Sequence, residues 1–190
     1  MNKHLYECFD HWYRGGQIYL YSDPHFADEE MKYLRKNYIG DDEQVKRINS
    51  KVGKNDTLII LGDIGDVEYV KRLRGYKVLI KGNHDAGASN YRRVVSESKD
   101  NHLFDEVYEG PLFINEKIIL SHEPMLVPFA LNIHGHDHSG WTMSLHQINV
   151  CAEHIAYTPV SLKQIIESGV LKGIKDIHRA TVDEAIDMAK

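Results

Sequence analysis

Cysteine is almost missing from this 190-residue chain, where Cys8 and Cys151 are the whole supply. They stand far apart with no C-x-x-C or other paired spacing, so neither a disulfide scaffold nor a thiolate zinc site is supported. No apolar stretch reaches the roughly 20 residues of a membrane-spanning helix. Residues 1–16 break their apolar positions with Lys3, His4, Glu7, Asp10 and Arg14, unlike the apolar middle of a signal peptide. A cytoplasmic location and no membrane partner are expected. Runs of lysine or arginine are also missing and the net charge is −5 with histidine neutral, so the chain does not advertise binding to a long nucleic acid. With no internal repeat, low-complexity tract or linker, one domain over 1–190 is expected, with 1–16 as an N-terminal extension and 169–190 as a C-terminal helical tail.

Hydrophobic residues make up 42% of the chain, enough for a proper core. Gln17 to Tyr21, Thr57 to Leu61 and Lys77 to Ile80 read as short buried strands. Between the first two, Asp41 to Val52 sets Val45, Ile48 and Val52 on one helical face and opens on acidic residues that suit the helix dipole. Asp66 to Leu73 reads as a second crossover helix. The second half differs, with short strand candidates at Glu106 to Tyr108, Leu112 to Ile114, Lys117 to Leu120, Asn132 to His134 and Gln147 to Val150, parted by Gly, Pro and Asn turns. The reading is an α/β half followed by a β-rich half. Ser161-x-x-Gln164 and Thr181-x-x-Glu184 are capping-box signatures of two later helices.

Five segments, each closing a candidate strand, carry oxygen and imidazole ligands. They are Ser22-Asp23-Pro24-His25, Gly62-Asp63-Ile64-Gly65-Asp66, Gly82-Asn83-His84-Asp85, Ser121-His122-Glu123 and Gly135-His136-Asp137-His138. Such groups gather behind apolar strands when divalent cations offset the cost of desolvating them. Asp23 and His25 alternate in an extended segment, so both can face one ion. Alone, a D-x-H is usually an exposed loop pair; four companion motifs reverse that weighting.

Asp63 should emerge at the carboxyl end of a central strand, where α/β folds place their sites, and its two oxygens can bridge two ions. Asp66 reads equally as a helix N-terminal residue or as a partner behind a ligand. Asn83 offers a neutral carbonyl oxygen, with Gly82 allowing a sharp turn before it. Asp85 is either the partner of His84 or a turn residue bonding local backbone. His122 on its own is as readily a hydrogen-bonded, half-buried histidine. His134, His136 and His138 alternate, so all three could face the same way.

The order and spacing of these motifs resemble the calcineurin-like metallophosphoesterases, whose pattern runs D-x-H, GD-x-x-D, GNH followed by Glu or Asp, a lone His, then GH-x-H. The resemblance covers roughly positions 17 to 168. Within that superfamily the chain is most similar to the small single-domain bacterial and phage-type phosphoesterases, which follow the last motif with a stretch like Asn149-Val150 and then Tyr157-Thr158-Pro159-Val160-Ser161-Leu162. The resemblance implies an α/β fold built as a two-sheet β-sandwich flanked by helices. It implies two divalent metal ions, one on Asp23, His25, Asp63 and His138, the other on Asp63, Asn83, His122 and His136. Asp63 bridges, and His134 is left out.

By the same resemblance, His84 is a catalytic residue facing the phosphoryl group, with Asp85 beside it. The implied reaction is hydrolysis of a phosphoric ester by metal-activated water. Mixed oxygen and nitrogen ligation suits Mn²⁺, the first choice, and also Fe²⁺, Ni²⁺, Co²⁺ or Zn²⁺. Val67 after Asp66 and Lys81 before Gly82 stand where related protein phosphatases carry arginine, which disfavours a protein substrate. A small phosphoester, mono- or diester and nucleotides included, is the expected substrate. Lys81, Tyr91, Arg92, Arg93 and Trp141 could line its cleft or be ordinary surface. Two alternatives stand beside this reading: a small nuclease acting on single strands, and a non-enzymatic metal-binding protein-interaction module.

Overall fold

The computed structural model describes residues 5–85, 103–140 and 145–174. Two mixed sheets form its frame. In the first, strands β1 (Ile18–Tyr21), β2 (Thr57–Ile60), β3 (Tyr76–Ile80) and β4 (Glu106–Tyr108) run parallel, and the short β9 (Val160–Ser161) adds antiparallel to β1. In the second, β5 (Leu112–Asn115) pairs antiparallel with β6 (Ile118–Leu120), which runs parallel to β7 (Leu131–His134), itself parallel to β8 (Gln147–Asn149). Each strand read from the sequence is present to within one residue at either end. Among the described residues only β9 is additional; two residues give no periodicity to read.

Every residue of β2 is buried, as expected of a central parallel strand covered on both faces. Ile18, Leu20, Ile59, Val78 and Ile80 face Ile114, Ile118, Leu120, Leu131 and Ile133 of the second sheet in one shared core. On the outer face Leu58, Ile60 and Leu79 pack with Val45 and Ile48 of helix α2 (Asp41–Lys51). Each such side chain contributes on the order of 1.5–3 kcal/mol of burial. A shorter helix, α1 (Met31–Leu34), precedes α2.

The crossover segment after β2 is not the α-helix expected but a 3-10 helix, Val67–Arg72. Its apolar residues Val67, Val70 and Leu73 recur every third position, the period of a three-per-turn helix, and Leu73 N donates to Val70 O at 3.1 Å. The Ser161–Gln164 capping box is formed and opens α3 (Leu162–Glu167). The Thr181 signature lies outside the described residues.

Residues 5–16 are packed into the fold. Trp12 is buried in the inter-sheet core, Tyr6 N donates to Ile114 O at 3.0 Å, and Thr57 Oγ1 donates to Trp12 O at 2.5 Å. Glu106 accepts from Trp12 Nε1 at 2.9 Å and Tyr76 OH at 2.8 Å, which fastens this segment to the first sheet. Among the described residues, no helix is long and apolar enough to cross a membrane.

Candidate metal centre

Parallel strands place their carboxyl ends together. Here the ends of β1, β2 and β3 in one sheet and of β6 and β7 in the other lead directly into the five motif segments. Hydrogen bonds sew the segments to one another: Asp23 N donates to Gly62 O at 3.1 Å, His25 N to Asp63 O at 3.0 Å and Gly135 N to His122 O at 2.9 Å. Within the first sheet Ser22 Oγ donates to Leu61 O at 2.7 Å, and the two sheets meet where His136 N donates to Asp23 Oδ2 at 2.9 Å.

This convergence bends the backbone. Asp23 (φ 55°), His25 (φ 47°), Asp63 (φ 53°) and His136 (φ 65°) all occupy the left-handed region, at a cost of order 1–3 kcal/mol each. Asp23 and His25 therefore meet across a turned loop, not along the extended segment that alternation predicts. The histidine alternation breaks for the same reason. The strand ends at His134, and the chain turns through Gly135 and His136, with Asp137 N donating to Gly135 O at 2.7 Å.

Two groups of donors result. Ligand atoms of Asp23, His25 and His138 lie within 4.8 Å of one another, and so do those of Asp63, His122 and His136. In the first group, Asp23 is fully buried, and its Oδ2 accepts from Ser22 Oγ at 2.5 Å, His136 N at 2.9 Å and Cys151 Sγ at 3.2 Å. Its Oδ1 has no hydrogen-bond partner and faces His138 Nε2 at 3.6 Å and His25 Nε2 at 3.8 Å. Burial works to raise the Asp23 carboxyl, but His25, His122 and the Ser22 hydroxyl outweigh it and hold the group well below the usual carboxylate range.

The second group is tighter. His122 Nδ1 lies 2.7 Å from Leu61 O, an acceptor, so that nitrogen donates and Nε2 is the ring atom turned toward the group. His122 Nε2 lies 2.8 Å from Asn83 Oδ1, 3.1 Å from His136 Nδ1 and 3.4 Å from Asp63 Oδ2. Asn83 Oδ1 is also 3.1 Å from His136 Nδ1. Two oxygens and two imidazole nitrogens held this close together suit a cation. Asp63 Oδ2 also lies 3.7 Å from His25 Nε2, which puts one carboxylate between the two groups.

No family model matches the chain, and no curated protein matches it. A solved structure shares the architecture. It is a protein of unknown function from Aquifex aeolicus, 26% identical over 80% of this chain and 98% of that one, with a TM-score of 0.63. The Pseudomonas putida nuclease MPE is 22% identical, with 67% of this chain and 64% of that one covered and a TM-score of 0.45.

His84 is in neither group; its ring stands edge-on to His25 with centroids 5.6 Å apart. His134 is likewise outside both, fully buried with Nδ1 2.8 Å from Gly135 O. Of the two readings of Asp85, partner of His84 or residue bonding backbone, its contacts match the second. Its two oxygens accept from the backbone amides of Asp63 (2.8 Å), Gly82 (2.9 Å) and Ile64 (3.1 Å), bracing two motif loops against each other. Burial raises its pKa, and those three amides counter the rise only in part. Asp66 caps the 3-10 helix, accepting from Glu68 N at 2.9 Å, which is the helix-terminal alternative. Lys81 pairs with Glu109 at 2.6 Å, while Tyr91, Arg92, Arg93 and Trp141 lie outside the described residues.

Three contributors carried no motif: Cys151 on Asp23, and Arg35 and Glu153 near His138. A third donor group, His138, Cys151 and Glu153, shares His138 with the first. Its thiol is pushed far above its ordinary pKa, first by burial and then by Asp23 and Glu153, and it donates to Asp23. It thus behaves as a hydrogen-bond donor.

The glycine ahead of His136 is required by space. A Cβ on Gly135 would stand 1.9 Å from Ser22 Oγ and 2.2 Å from Asp23 Oδ2. Gly135→Ala is expected to cost about 1–3 kcal/mol by overpacking and to push Asp23 out of its group. Thermal unfolding and metal analysis read the two effects, and an unchanged melting temperature with full metal content would refute the tight fit.

Proposed function

We propose that this chain is a calcineurin-like metallophosphoesterase that hydrolyses a small phosphoric ester with two divalent cations, Mn²⁺ foremost. The observation that carries the reading is the double convergence on Asp63: Asp23, His25 and His138 on one side, Asn83, His122 and His136 on the other, and the Asp63 carboxylate between them. Asp23, His25, Asp63 and His138 would hold one ion; Asp63, Asn83, His122 and His136 the other. Bound there, such ions supply Lewis acidity toward a phosphoryl oxygen and make a nearby water more acidic.

The chain's own residues supply the rest. Asp85 fixes the loops bearing Asp63 and Asn83 relative to each other through its three amide contacts. His84 projects from the same loop beside His25, where a protonated ring can donate to a phosphoryl oxygen or to the departing alkoxide. The net charge of −5 favours a small substrate drawn to the centre over a long polyanion tracked along the surface.

Chelated protein should be inactive and recover hydrolysis of bis(p-nitrophenyl) phosphate, p-nitrophenyl phosphate or a cyclic nucleotide on return of Mn²⁺, with two ions per chain by elemental analysis. Two bound ions without hydrolysis of any ester would point to an interaction module. Selective cleavage of short oligonucleotides would point to a nuclease.

A further inference from the structure

Behind His138 stands a pair of charged residues that no motif includes. Glu153 Oε1 is 2.5 Å from His138 Nδ1, and Glu153 Oε2 faces Arg35 Nε at 3.4 Å, an ion pair just short of hydrogen-bond geometry. Arg35 is 5% exposed, and its Nη2 donates to the backbone carbonyl of Asp23 at 2.7 Å. One guanidinium therefore touches the segment bearing Asp23 and, through Glu153, the ring of His138.

The turn that carries Glu153 is itself held. Asn149 Nδ2 donates to Asp137 O at 2.6 Å and its Oδ1 accepts from Cys151 N at 2.9 Å, which ties the end of β8 to the loop bearing His136 and His138. His154 N and Ile155 N both donate to Cys151 O, at 3.0 and 3.3 Å. Burying an arginine and a carboxylate here would be unfavourable unless each met its partner.

We infer that Arg35 and Glu153 are a positioning pair that makes His138 a metal ligand and sets the affinity of the first group alone; the inference rests on the two-ion reading above. Glu153 accepts the proton-bearing Nδ1 of His138, so Nε2 keeps its lone pair and points toward Asp23, 3.6 Å away. A carboxylate behind an imidazole fixes its tautomer and increases its basicity as a ligand. Arg35 keeps Glu153 facing away from the centre, although Glu153 is otherwise within reach of a competing donor group with Cys151. Among the described residues no carboxylate stands behind His122, where a backbone carbonyl, Leu61 O, performs the same service.

The experiment is calorimetric titration of chelated, full-length protein with Mn²⁺, together with the visible absorption of the Co²⁺-loaded form. His138→Ala and His122→Ala serve as spectral references for loss of each group. Glu153→Leu should weaken one of the two ions by about 10–100-fold and leave the other unchanged, with a Co²⁺ spectrum that moves toward that of His138→Ala. Glu153→Gln retains an oxygen acceptor and should recover most of that loss, which a general packing defect would not do. In Zn²⁺-loaded wild-type protein, the His138 ring should show its proton on Nδ1 by ¹⁵N correlation.

Wild-type affinity for both ions in Glu153→Leu overturns the inference while leaving the two-ion reading standing. Equal weakening of both ions, or no recovery in Glu153→Gln, also overturns it, since the effect would then be structural. A wild-type chain that binds no metal removes the two-ion reading and the inference with it.

Discussion

Asp63→Ala is expected to abolish high-affinity binding of both metal ions, because one carboxylate lies between the donor groups, 3.7 Å from His25 Nε2 and 3.4 Å from His122 Nε2. Removing a ligand shared by both should cost each ion more than the roughly 10–100-fold lost when only the partner behind a ligand is removed. Hydrolysis should fall to background at any practical metal concentration. The fold has a different stake in Asp63. A carboxylate 2% exposed is unfavourable without a cation, so the metal-free variant should be about as stable as metal-free wild type.

The difference appears on adding metal. An ion at about a hundred times its Kd stabilises the native state by roughly 2.7 kcal/mol, or about 5–11 °C in Tm for a chain of this size. Wild-type protein should show that rise and Asp63→Ala should not. Two tightly held ions in Asp63→Ala would show that the groups fill independently and that the carboxylate is no bridge.

Much of this centre is legible in the amino-acid sequence, for an identifiable reason. Asp23, Asp63, Asn83, His122 and His136 each follow a strand closely, and parallel strands bring their ends together whatever the loops do. What the sequence conceals is how the loops turn. Alternation along Asp23-Pro24-His25 and along His134 to His138 suggests extended chain, yet left-handed residues at Asp23, His25 and His136 bend both segments. The choice of His136 and His138 over His134 comes from the motif pattern, and the physical basis lies in that bend.

Other features of the centre have a similar origin. Asp85 looks like a neighbour of His84 because it is next in sequence, but adjacent side chains at a tight turn diverge, and Asp85 turns inward to three amides. Arg35 and Glu153 are 118 positions apart and meet only because β8 and the loop after β1 close on the same corner; an isolated parallel bridge joins Ser22 to Cys151 there. The one available signal was an acidic residue soon after Asn149-Val150-Cys151, where the chain leaves the second sheet. The 3-10 crossover was open to reading too, since Val67, Val70 and Leu73 are spaced strictly by three.

His84→Ala separates chemistry from metal binding. His84 belongs to neither donor group, while its ring sits 5.6 Å from that of His25, so the variant should retain two ions at wild-type affinity. If its proton goes to the leaving oxygen, an alkyl phosphate ester, whose alkoxide is a strong base, should lose about 10²–10⁴-fold in kcat. A nitrophenyl ester expels an oxygen stable without a proton and should lose far less. The ratio of the two losses is the informative quantity, because a ring that only stabilises charge on the phosphoryl oxygens slows both esters alike. Equal losses with both ions in place would therefore assign His84 to charge stabilisation, and a fall in metal content would make it a ligand.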